Sequence, residues 1–153
     1  MKARVNLGSA PGAYKAMIGL ETYLANCGLE HGLLHLVKMR VSQINGCAYC
    51  LDMHSKDLRA TGETEQRIYL LDAWREAPFY SERERAALAW AEAVTRLDGH
   101  EVPDEVFEQV RPHFNDIELL NLTLAVTTIN AWNRLNIAFR TPAGSYQPAK
   151  AAV

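Results

Sequence analysis

The sequence lacks several things that would place it quickly. It contains no apolar run near the 18 or so residues of a membrane span. It opens with the basic stretch Met1-Lys2-Ala3-Arg4, but Asn6, Ser9, Pro11 and Gly12 break up the residues after it, so no signal-peptide core forms. No membrane partner is expected, and the reading is a cytoplasmic protein. No charge of one sign dominates: 16 Lys and Arg stand against 18 Asp and Glu, a net −2. The basic footprint of a nucleic-acid-binding protein is therefore missing, and no nucleic-acid partner is expected. Cysteine is scarce; three residues are an odd number and too few for a disulfide scaffold. Internal repeats, low-complexity tracts and alternating strand-like runs with hairpin signals are also missing. What remains, 153 residues of which 48% are hydrophobic, suffices for one core in a single domain, 1–153.

The apolar spacing is helical throughout. Residues 1–11 read as an irregular arm with Pro11 and Gly12 as breakers. Helices are expected over about 13–26 and 30–44. The second is apolar over most of its circumference and so should be central, with a polar stripe of His31, His35, Lys38 and Ser42 that faces either water or the cysteines. A third starts near Asn45-Gly46 and ends at Thr61-Gly62, and a fourth runs from Thr64 through Trp74 to the break at Ala77-Pro78. Ser81 and Glu84 form a capping box for a fifth, 82–97. Pro103-Asp104-Glu105 opens a sixth, and Asn115 with Glu118 opens a long last helix to about Arg140. Residues 141–153 form a tail, either loose or an oligomer arm. The expected fold is all-α, with about seven helices.

The chemistry concentrates in Asn45-Gly46-Cys47-Ala48-Tyr49-Cys50-Leu51-Asp52-Met53-His54. Two thiols three apart and a histidine four further on share one helical face. With Asn45 as N-cap, Cys47 falls in the first turn and Cys50 lies one turn from His54. A helix N-terminus or a neighbouring histidinium lowers a thiol pKa from about 8.5 to roughly 3.5–7.5. Such a thiolate attacks a peroxide O–O bond and becomes a sulfenic acid, which a second nearby thiol converts to a disulfide. Two other readings compete. One is a pair of reduced, buried cysteines. The other is a zinc site of Cys47, Cys50, His54 and either His35 or His31, although Cys-x-x-Cys in zinc sites more often occupies a knuckle than a regular helix. Cys27, before Gly28, reads as a small buried residue.

The run Lys38-Met39-Arg40-Val41-Ser42-Gln43-Ile44, continuing through Asn45 to His54, resembles the core signature of the alkylhydroperoxidase AhpD-like proteins of the carboxymuconolactone decarboxylase superfamily. Ile129-Asn130-Ala131-Trp132-Asn133-Arg134-Leu135 resembles the family's matching late helix. The resemblance implies an all-helical fold assembled as homotrimers or homohexamers. It implies that Cys50 attacks peroxide, paired with His54, and that Cys47 resolves the sulfenic acid and is the more exposed member of the disulfide. It implies no bound cofactor, but an external reductant: a small thiol, or a reducing partner protein of the lipoyl-bearing type. Two positions depart from the family pattern. His35 stands twelve residues before the first cysteine, where the family places a relay glutamate; a neutral imidazole also accepts a proton. Tyr49 stands where AhpD proper has a histidine, which aligns the chain with the wider AhpD-like group.

The expected function is thus a thiol-dependent peroxidase or disulfide oxidoreductase with Cys50, Cys47, His54 and His35 as site residues. The alternatives are a lactone decarboxylase of the same superfamily, which does not depend on a cysteine pair, and a non-enzymatic redox-sensing helical oligomer. Asp52 should point away from the thiols, exposed or paired with a base. Asn130, Trp132 and Asn133 either wall the pocket or bond helices together. His100 and His113 receive no role.

Overall fold

The computed structural model describes residues 2–148. Its seven α-helices are α1 (Pro11–Leu24), α2 (His31–Asn45), α3 (Ala48–Ala60), α4 (Glu65–Tyr69), α5 (Glu82–Arg96), α6 (Asp104–Val110) and α7 (Asp116–Phe139). Short 3₁₀ turns at Leu7–Ser9, Leu70–Ala73, Asp98–His100 and Arg111–His113 complete the described residues, which include no strand. The all-α expectation holds.

Local chemistry explains most boundaries. The side chains of Ser81 and Asn115 accept from the N–H groups of Glu84 and Glu118, whose carboxylates bond back to the cap N–H, so both capping boxes form. Pro11 begins α1 rather than breaking the chain, because its missing N–H is unneeded in a first turn. The fourth helix is shorter than its pattern suggests: α4 tightens into 3₁₀ at Leu70–Ala73, ahead of Ala77-Pro78.

α2 is central, packed against α3, α5 and α7. Its two apolar sides feed two core regions. Leu33, Leu34, Val37 and Val41 join Leu122, Val126 and Ile129 of α7 and Ala87 and Ala91 of α5. On the other side, Leu36 and Met39 join Leu58, Ile68, Leu71, Trp74 and Tyr80. Between them, buried Arg40 donates from Nε to Glu92 (2.8 Å), which also accepts from Trp74 Nε1 (2.9 Å) and Arg75 (2.7 Å). Burial opposes ionisation of Glu92, but those hydrogen bonds prevail and hold its carboxyl below the ordinary range.

Both ends of the described residues are tied down. Arg4 N–H donates to Phe139 O (2.9 Å) and its guanidinium to Ala138 O (3.2 Å), so the arm lies on the end of α7. The expectation of a loose tail fails for 145–148. Tyr146 donates to Asp57 (2.7 Å), and its carbonyl accepts from Lys56 (2.9 Å), because α3 offers a charged outer face there. The rest of that tail, 149–153, lies outside the described residues.

Candidate active site

The thiol pair lies at the junction of α2 and α3. Asn45 is not the cap of α3 but the last residue of α2. Gly46 takes a left-handed conformation (φ +68°) and bonds back to Gln43 O and Ser42 O, closing α2 in a form that a side chain would strain. Cys47 is thereby the N-cap of α3, and its sulfur accepts from the Cys50 N–H at 3.4 Å. Asn45 instead bonds to Asn130 (2.9 Å) and Asn133 (2.8 Å) of α7.

Cys47 and Cys50 form a disulfide with Cα atoms 5.4 Å apart. While that bond is closed, neither sulfur is free to bind a metal. Both cysteines are buried, Cys47 at 1% and Cys50 at 0% accessible. Cys27 is the free cysteine and only partly buried, in the turn after α1.

Cys50 forms part of the wall of a cavity of about 770 Å³; Cys47 does not. α3 contributes Tyr49, Cys50, Met53, His54 and Asp57, spaced one, three, one and three and hence on one face. α2 contributes His35 and Lys38, α7 contributes Trp132 and Asn136, and α1 contributes Tyr14, Ile18 and Glu21. Residues Ala3 to Gly8 of the arm, with Thr141 and Pro142, complete it.

His54 is buried, and neither ring nitrogen has a hydrogen-bond partner. Its ring centroid lies 6.0 Å from that of His35. Burial holds the His54 pKa well below 6.5, reinforced by Lys38 and His35. Burial also lowers that of His35; Asp57 opposes this, while Lys38 and His31 add to it. Both imidazoles are therefore neutral at pH 7. The expected neighbouring histidinium is replaced by a neutral base. Lys38 forms an ion pair with Glu21, which also accepts from Trp132 Nε1 at 3.1 Å.

The polar stripe of α2 divides. His35 and Lys38 face the cavity, Ser42 is buried and accepts from Asn133 (3.0 Å), and His31 is exposed. Asp52 turns away from the thiols, as expected, and accepts from Lys56 (2.9 Å) and Gly144 N (3.0 Å). Trp132 lines the cavity, whereas Asn130 and Asn133 bond helices together. Asn136 is a site residue that the sequence motifs do not pick out. Its Nδ2 lies 3.5 Å from Cys50 Sγ, and it stands four residues after Trp132 on the same face of α7, which was the available signal. The arm gave no signal at all.

The family model for the carboxymuconolactone decarboxylase family matches residues 11–93. The chain belongs to that family. Within it the chain is AhpD-like. The uncharacterized protein YdfG of Bacillus subtilis is 45% identical over 136 residues, covering 89% of this chain and 92% of the relative. A solved protein of unknown function from Agrobacterium tumefaciens, described after the antioxidant defence protein AhpD, is 46% identical with TM-score 0.90, covering 95% and 100% of the two chains. An uncharacterized peroxidase-related protein from Ralstonia eutropha, described as an alkylhydroperoxidase AhpD core, shares the fold at 23% identity and TM-score 0.80, covering 91% of this chain and 74% of the other. Enzymes are general in this family. Among the described residues, no helix is long and apolar enough to cross a membrane.

Proposed function

We propose that this AhpD-like protein is a thiol-dependent peroxidase that cycles through the Cys47–Cys50 disulfide. The observation that carries the reading is a disulfide whose Cys50 shares a cavity wall with buried His54 and half-buried His35. The Agrobacterium relative's description supports the same class of activity.

In the reduced protein, neutral His54 takes the Cys50 proton. The thiolate attacks the terminal oxygen of a peroxide, ROOH; the O–O bond breaks, and the leaving alkoxide takes the proton back as ROH. Asn136 stabilises the charged sulfur by donating from Nδ2. Cys47 then attacks the Cys50 sulfenic acid, forming the S–S bond and releasing water. His35 occupies the position of the family's relay carboxylate and passes protons between His54 and the cavity. An external small thiol, or a dithiol on a lipoyl-type partner protein, returns two electrons and two protons.

Peroxide consumption and intact mass test this. Peroxide should convert the reduced protein to a form two hydrogens lighter, and Cys50→Ser should abolish turnover. Unchanged consumption by Cys50→Ser would sink the proposal. We also propose assembly as a homotrimer or homohexamer. Exposed Tyr23, Ile117 and Leu120, at 53%, 70% and 71%, supply apolar surface for it, and light scattering tests it.

A further inference from the structure

Three ligand-type side chains meet on the cavity wall, and the two histidines among them have buried ring nitrogens without a partner. His54 and Asp57, three apart on α3, face His35 of α2, and one ligand atom from each lies within 4.8 Å of the others. His54 is 4% accessible with both nitrogens unpartnered, and Nδ1 of His35 is also buried and unpartnered. Buried polar atoms left unpaired are uncommon in native proteins and call for a cause. Asp57 is already oriented: the Tyr146 hydroxyl holds Oδ1 at 2.7 Å, and Oδ2 lies 3.9 Å from His54 Nδ1. That separation is too long for a hydrogen bond. It suits an ion between the two: ligands about 2.0–2.1 Å from a tetrahedral ion stand about 3.3 Å apart, so a contraction of about half an ångström suffices there.

We infer that His35, His54 and Asp57 form a binding site for a divalent cation of intermediate softness, with its remaining position open to the cavity. Two imidazoles and one carboxylate favour Zn²⁺, Co²⁺, Ni²⁺ or Fe²⁺ over Ca²⁺ and Mg²⁺, which prefer all-oxygen sites. The nearby ammonium of Lys38 is neutralised by Glu21, so it does not repel the ion unopposed. The set differs from any built on the cysteines, whose sulfurs are committed to the disulfide. A metal on His54 occupies the lone pair that deprotonates Cys50. Zn²⁺ should therefore inhibit peroxide turnover, and this consequence alone rests on the peroxidase reading.

The test uses the full chain, oxidised at Cys47–Cys50 and carrying Cys27→Ser, so that no thiol is available. Zn²⁺ titration by calorimetry should give one ion per chain. Affinity should lie in the micromolar range, because no protein group fixes the second nitrogen of His54, and losing such a partner typically costs about 10–100-fold. His35→Ala and Asp57→Asn should each weaken binding at least about tenfold. Co²⁺ should show visible d–d bands without thiolate charge transfer. The inference is overturned by the absence of saturable binding, or by binding that survives both substitutions in variants whose far-ultraviolet circular dichroism is native. Saturable binding with no effect on Cys50-dependent turnover would keep the metal site and remove its link to activity. Absent binding with intact turnover would remove the site and leave the peroxidase standing.

Discussion

A thiol at the N-cap of a helix experiences a different field from one a turn later. Cys47 receives the Cys50 N–H and the positive end of α3, so as a thiolate it is a stabilised leaving group. Cys50 lines the cavity, the side from which the proposed reductant would approach. A thiol reductant should therefore attack Cys50 and expel Cys47, and trapping with a monothiol followed by peptide mass mapping should find the adduct on Cys50. His54 supplies a second expectation. Replacing it with Gln should slow Cys50 oxidation by about 10²–10⁴-fold, the range for loss of a general base. Because burial lowers its folded pKa below 6.5, the unfolded chain binds the extra proton between that value and 6.5. Stability should fall as pH drops below 6.5, and His54→Gln should flatten this dependence in urea denaturation measured from pH 7 down to 5.

At the scale of elements, the decisive feature is the two-residue joint, Gly46 and Cys47, between α2 and α3. Gly46 at φ +68° turns the chain so that Cys47 caps α3 directly. Gly46→Ala should destabilise the protein by about 1–2 kcal/mol, the cost of the left-handed conformation for a side chain, as read from denaturant midpoints. Removing a cap by Ser81→Ala should cost about 1 kcal/mol by the same measure. Much of this level was legible in the sequence. Ser81, Glu84, Asn115 and Glu118 announce their helix starts because capping is local, and the apolar surface of α2 announces its central place. The cap of α3 lies two residues beyond the expected Asn45, since Asn45 and Gly46 equally describe a start or an end. What decided it was the pair of bonds from Asn45 to Asn130 and Asn133, residues 85 and 88 positions away.

Across the whole molecule, buried polar ties fix how the helices sit. Glu92 of α5 gathers Arg40 of α2 and Trp74 and Arg75 of the turn after Leu70–Ala73. Glu92→Ala should cost roughly 3–5 kcal/mol because it breaks a buried ion pair, leaving Arg40 Nε and Trp74 Nε1 without their acceptor while Arg40 keeps Asp72 and Gln43, and thermal unfolding measures this. The site was legible where it is local: Cys47, Cys50 and His54 announce themselves by spacing, and His35 by its place relative to them. It was illegible where distant segments meet. Asn136, Glu21, Asp57 and the arm acquire a role only when α1, α7 and both ends of the chain converge, which no local pattern encodes. Arg4 is bonded to Phe139 and to Ala138, 134 positions away, so this wall of the cavity closes only once both segments are in place. Translation thus imposes its own safeguard on the proposed activity: a nascent chain carries Cys50 before residues 132–142 are there to close the chamber around it.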